Sequence, residues 1–248
     1  MERVALKKAI TELVVANRIL ANEDVVDAYG HVSVRNPEAP ERFFLAYSKA
    51  PALVEAADIV EFDLQANPLR AERRPLYLER FIHAALYAAR PDVIAVVHAH
   101  AEDVLPFGIT PAPLRPVIHS GAFIGEHVPV WDIAERFGER TNLLVTNMDQ
   151  GQDLARAMGS HSVALMRGHG FAAAARSLID VVRISVYLPR NARVQYKAMQ
   201  LGEVQPLSSG EIQARAAGAG YKPDSPETQR AWQYWAHRAG CAQLLEEL

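Results

Sequence analysis

A single cysteine, Cys241, stands among 248 residues. An intramolecular disulfide framework and a cysteine-rich metal site are therefore both excluded. Long apolar runs are also missing, since no stretch approaches the ~18 apolar residues of a membrane span. The opening segment breaks its apolar residues with Thr11, Glu12, Asn17 and Arg18. It lacks the unbroken apolar stretch and small-residue cleavage site of a secretory signal. Neither sign of charge dominates: 26 Lys and Arg face 29 Asp and Glu, a net charge of −3. No basic footprint for nucleic acid results. These absences point to a reducing cytoplasm and exclude nucleic acid and membrane as expected partners.

Half of the residues are hydrophobic, enough for one substantial core. No repeat, low-complexity tract or linker interrupts the chain ahead of Gly202. Apolar residues at helical spacing (Val4, Ile10, Leu13, Val14, Ile19, Leu20) predict an opening helix over 3–21. Strands are predicted at 31–35, 42–48 and 58–64, and a helix over 76–89 that Pro91 stops. VIAVVHAH (93–100) is β-branched and too short for a helix, so it reads as a buried strand. Residues 133–139 and 150–158 read as helices, and 142–147, 162–168 and 171–175 as strands. A long helix follows, with a kink expected at Pro189. The Gly/Ala/Ser-rich stretch after Gly202 reads as a loose arm to about residue 226, leading to a final helix. The alternation predicts a layered α/β domain with a mixed sheet.

His98 and His100 lie two apart at the end of a predicted strand, where period-two geometry puts both imidazoles on one face. They sit about 7 Å apart along the chain, close enough to converge on one ion. His169 lies between Gly168 and Gly170, which free the backbone to bend and admit close neighbours. Three neutral imidazoles would leave coordination positions open, as catalytic sites do. No spacing rule ties residue 169 to residue 98, so composition alone leaves the triad open.

The segments PDVIAVVHAHAEDVLPFG and VALMRGHGFAAAARSLIDVV, with Glu79 and His83 in YLERFIHAALYAARPDV and the YGHVSVR segment at 29–35, resemble the class II aldolase/adducin family. The resemblance covers roughly residues 3–205 and implies a three-layer α/β/α sandwich around a central mixed, mostly antiparallel sheet. It also implies one divalent metal ion per subunit on His98, His100 and His169, with Zn or Mn expected and Co, Fe or Ni as alternatives. A glutamate at the position of Glu79 moves the proton in the family's sugar-phosphate aldolases, where the metal holds the developing oxyanion. A raised pKa is expected for such a carboxylate. His83, one turn on, is read as packing or support. The resemblance further implies a cyclic homotetramer with its sites at subunit interfaces.

The chain departs from the aldolases where they hold phosphate. His31 replaces an asparagine, Ser48-Lys49-Ala50-Pro51 replaces a hydroxyl-Gly step, and Leu76-Tyr77 replaces paired small hydroxyl residues. A phosphate cradle needs small residues and free N–H groups, and these substitutions remove them. Ile133 falls where the aldolases carry a catalytic tyrosine. His31, Ser48, Lys49, Tyr77, Arg80 and His119 become the candidate substrate contacts, with cations for a carboxylate and an aromatic face for a ring. The motifs SKAP, LERFIHAALY, LPFG, PLRPVIH, VPVWDI and LMRGHGF are similar to the hydroxyaromatic carboxylate decarboxylase branch. That branch acts on dihydroxyphthalates and hydroxypyridine dicarboxylates.

The expected function is thus a metal-dependent decarboxylase of a hydroxylated aromatic or heteroaromatic acid, with Glu79 supplying the proton. The alternatives are an aldolase-type lyase or epimerase on a non-phosphorylated hydroxycarbonyl, a non-catalytic adducin-like module, and an Fe(II) oxygenase. Residues 1–205 are read as the catalytic domain and 206–248 as an arm and helix packing on a neighbouring subunit, its stripe formed by Trp232 and Trp235.

Overall fold

The computed structural model describes residues 2–217 and 225–246. Its elements in chain order begin with α1 (Glu2–Asn22), β1 (His31–Arg35), β2 (Arg42–Ala46), β3 (Ile59–Asp63) and α2 (Arg80–Ala89). Then come β4 (Ala95–Ala99), α3 (Leu105–Ile109), β5 (Val130–Trp131), α4 (Ile133–Phe137) and α5 (Met148–Met158). The last are β6 (Val163–Met166), β7 (Gly170–Ala175), α6 (Leu178–Met199), α7 (Ser209–Ala217), α8 (Pro226–Arg238) and α9 (Gln243–Glu246). The strands form one seven-stranded sheet in the order β3-β2-β1-β4-β7-β6-β5. All neighbours are antiparallel except β5 and β6.

Alternation along the central strands divides the core in two, because successive side chains leave opposite faces of a sheet. Ala95, Val97 and Ala99 of β4 pack with α1, α6 and α8, while Val96 of the same strand faces α2 and α5. The three-layer α/β/α sandwich with a mostly antiparallel sheet is the observed fold.

Three local expectations are corrected. The helix expected from residue 76 starts at Arg80. Before it, the Pro75 carbonyl accepts from Ser48 N–H and the Tyr77 phenol donates to the Lys49 carbonyl, which hold residues 75–79 against the sheet end. Residues 142–147 form no strand, because β5 already occupies the edge of β6. Their N–H groups are satisfied instead by side chains: Leu143 by Thr141, Leu144 by Asn142, Val145 by Glu79 and Thr146 by Gln150. The two-residue β5 is too short to leave a periodic signal. The Trp232–Trp235 stripe is buried within its own chain, with Trp235 edge-on to Tyr187 of α6 at 5.9 Å. Within the expected loose arm, residues 209–217 form α7, whereas 218–224 lie outside the described residues. The helix α6 continues through Pro189 without a break.

Candidate metal centre and substrate cleft

The sheet register assembles the site. His98 on β4 pairs with His31 on β1 and with Ala172 on β7, so the three-residue turn that carries His169 is delivered beside β4's end. That turn depends on both flanking glycines. Gly168 has φ +66°, a conformation L side chains rarely adopt, and a Cβ on Gly170 would lie 2.2 Å from the Ala99 carbonyl oxygen. Met166 then accepts the His169 N–H at 3.0 Å and closes the turn.

The three imidazoles meet through the same ring atom. His100 Nε2 lies 3.0 Å from His98 Nε2 and 3.1 Å from His169 Nε2. Glu79 Oε2 completes the group, 3.3 Å from His98 Nε2 and 3.4 Å from His169 Nε2. His98 Nδ1 donates to the Phe171 carbonyl at 3.0 Å, which leaves its Nε2 lone pair directed at the centre. His169 Nδ1 is buried without a hydrogen-bond partner. Burial, followed by the neighbouring His98 and His169, pushes the His100 imidazole down to about 4, so it is a neutral donor near pH 7.

Glu79 caps α2 and is almost fully buried. Burial alone would raise its pKa, but His98 and His169 outweigh it and hold the carboxyl well below the usual range. This direction is opposite to the raised pKa expected from the sequence and favours the carboxylate form.

Three imidazole nitrogens and a carboxylate, all ligand atoms within 4.8 Å of one another, fit a divalent cation. A tetrahedral ion with ligands near 2.0–2.1 Å has ligand–ligand edges of about 3.3 Å. Four of the six separations, 3.0 to 3.4 Å, lie near that value, while Glu79 Oε2 and His100 Nε2 stand further apart, so the three imidazoles are the natural ligands and the carboxylate lies beside them.

The cleft in front of the centre has a volume of about 380 Å³. His31, Ser48, Lys49, Tyr77, Glu79, His100 and His169 line it, with Tyr29, Leu76, Leu78 and Leu144. Its size suits one small ring-bearing molecule. Not every expected contact is free to act. Lys49 Nζ is paired with Asp58 at 2.6 Å. Arg80 is turned away, its guanidinium donating to the Ala66 and Tyr77 carbonyls at 3.0 Å each. His119 lines a separate cavity with Arg183, Arg190 and Trp235. Tyr77 offers its ring, 4.5 Å from that of His31, and burial pushes its phenol up to about 12.

Sequence reasoning missed Val145, whose N–H donates to Glu79 Oε1 at 3.0 Å. No local pattern signals a pair 66 residues apart. His83, read from the sequence as packing or support, bonds His31 within the same buried layer.

The model of the class II aldolase and adducin N-terminal domain matches residues 11–196 of this chain. The chain belongs to this family. Decarboxylase tropJ of Talaromyces stipitatus is 39% identical over 204 residues, covering 77% of each chain. The 3,4-dihydroxyphthalate decarboxylase of Arthrobacter keyseri is 29% identical over 258 residues, covering 93% of each. Among solved structures, L-fuculose 1-phosphate aldolase from Glaciozyma antarctica superposes with TM-score 0.77 at 23% identity, over 97% of this chain and 93% of that one. An aldolase II superfamily protein from Pseudomonas syringae gives TM-score 0.78 at 20% identity, over 97% and 95%. The structural matches establish the fold. The curated relatives add the decarboxylase branch.

Proposed function

We propose that this protein is a metal-dependent decarboxylase of a hydroxylated aromatic or heteroaromatic carboxylic acid. One observation carries the reading: a buried glutamate carboxyl and three imidazole nitrogens converge at the head of a cleft walled by Tyr77, His31, Leu76 and Leu144. The decarboxylase relatives support the reaction type. A divalent ion, Zn or Mn by expectation, would be held by His98, His100 and His169 and would supply Lewis-acid polarisation of a substrate oxygen.

The remaining chemistry belongs to the chain. Glu79 Oε1 is held by Val145, so Oε2 is the atom that faces the substrate. As an anion it takes the proton of the substrate hydroxyl and delivers it to the ring carbon bearing the carboxylate. The carbon–carbon bond then breaks, its electron pair returns to the ring, and CO₂ leaves. The product oxygen regains its proton from water, so one proton is consumed overall. His31 and Ser48 orient the polar groups, and the Tyr77 face packs on the ring.

Tyr29 and Leu78, 69% and 60% exposed at the cleft rim, give an edge that a neighbouring subunit of the proposed homotetramer would cover. His119 belongs to the cleft only through such a neighbour. A cytoplasmic location goes with this reading; no described helix is long and apolar enough to cross a membrane.

The test is direct. Metal-loaded enzyme is incubated with hydroxyphthalates, hydroxypyridine carboxylates and hydroxybenzoates while CO₂ and ultraviolet spectra are followed. Stoichiometric CO₂ release is expected. Silence on every acid, with cleavage of hydroxycarbonyl compounds, would replace the decarboxylase with an aldol lyase.

A further inference from the structure

Four buried polar side chains run in series behind the cleft. His31 Nδ1 lies 2.6 Å from His83 Nε2, and His83 Nδ1 lies 2.6 Å from Ser33 Oγ. Ser33 Oγ lies 2.8 Å from the Tyr87 hydroxyl. The secondary structure explains the meeting. His31 and Ser33 share one face of β1, and His83 and Tyr87, four apart, share one face of α2. All four are buried, and only His31 reaches the cleft.

The far end sets the direction of the chain. Tyr87 can donate to Ser33 at 2.8 Å or to the Ile94 carbonyl at 3.4 Å, and that carbonyl already accepts the Arg35 N–H at 2.7 Å. The shorter bond takes the phenolic proton. Ser33, having accepted from Tyr87, gives its one proton to His83 Nδ1. His83 is then protonated on Nε2 and donates to His31 Nδ1. Only one place is left for the His31 proton.

The geometry points to a fixed tautomer: the Tyr87–Ser33–His83 series makes His31 present Nε2–H to the cleft as a preset hydrogen-bond donor for a substrate oxygen. His83 is the positioning residue, acting through His31. The site then favours substrates carrying an anionic oxygen, carboxylate or phenolate, beside the ring that packs on Tyr77. Such a donor needs no reorganisation when charge develops on that oxygen. The inference rests on the cleft being the substrate site proposed above.

Solid-state nitrogen NMR of enzyme labelled with ¹⁵N-histidine reads the tautomer without turnover, with His31 assigned by its loss in His31→Leu. A protonated Nε2 and bare Nδ1 are expected, and a proton on Nδ1 would overturn the inference. Kinetics give the second reading. His83→Leu should lower kcat on the order of 10²-fold at unchanged metal content. His83→Gln, whose amide nitrogen can donate where Nε2 did, should restore most of the loss. In a His31→Leu background His83→Leu should add nothing, because the two act as a unit. Additive losses, or no rescue by glutamine, would make His83 a packing residue. If the unaltered enzyme releases CO₂ from no acid, the proposed reaction fails while the tautomer measurement still decides the relay.

Discussion

Val145 donates its N–H to Glu79 Oε1 at 3.0 Å, and this single bond decides which carboxylate oxygen faces the histidines. The donor comes from a segment with no strand partner, whose free N–H groups turn to side chains. The same irregularity that defeats a strand assignment at 142–147 therefore orients the Glu79 carboxylate.

Replacing Glu79 separates metal binding from chemistry. With His98, His100 and His169 intact, Glu79→Gln should still bind close to one metal per subunit. Turnover should fall on the order of 10²-fold or more, as expected for removing a general acid–base. His98→Ala should lose both. Metal analysis beside CO₂ release checks the pair, and full turnover in Glu79→Gln would remove Glu79 from the mechanism.

Gly170→Ala tests the turn beneath the triad. The added methyl meets the Ala99 carbonyl oxygen at 2.2 Å, and backbone cannot yield as a flexible side chain would. A loss of about 1–3 kcal/mol or more is expected, with β7 pushed from β4 and His169 from His98. Denaturant unfolding measures the cost. A variant of unaltered stability and metal content would show that the strands part without penalty.

Acid should unfold the chelated protein through its buried histidines. Burial and then His98 push His83 down to about 3 from the ordinary 6.5, and His100 lies at about 4. Both are neutral when folded and charged when unfolded between those values, so the unfolded chain binds more protons there. Stability is complete above about pH 6.5 and is lost as pH falls toward 4 and then 3. Melting temperatures across that range should decline steadily, and less steeply in His83→Gln. A flat profile would contradict the burial assigned to these rings.

Trp235 anchors α8 onto α1 and α6, with only 2% of its surface exposed. Trp235→Ala should cost about 3–5 kcal/mol by leaving a large cavity. If the stripe instead joined subunits, dilution rather than denaturant would reveal the defect. Light scattering alongside unfolding distinguishes the two.

Much of this protein was readable along the chain because the relevant signals are short-ranged. Period-two spacing put His98 and His100 on one face, glycines on either side of His169 announced a sharp turn, and helical spacing found α1. Local periodicity carries no information about partners far away in the chain. Only the tertiary structure decided that the β4–β7 register brings His169 to within hydrogen-bonding distance of His100. It alone decided that Lys49 answers to Asp58, that Arg80 answers to backbone carbonyls, and that His31 is backed by His83. Residue type tells which groups can bond. The competition among all buried donors and acceptors, resolved only when the layers close, tells which bonds are made.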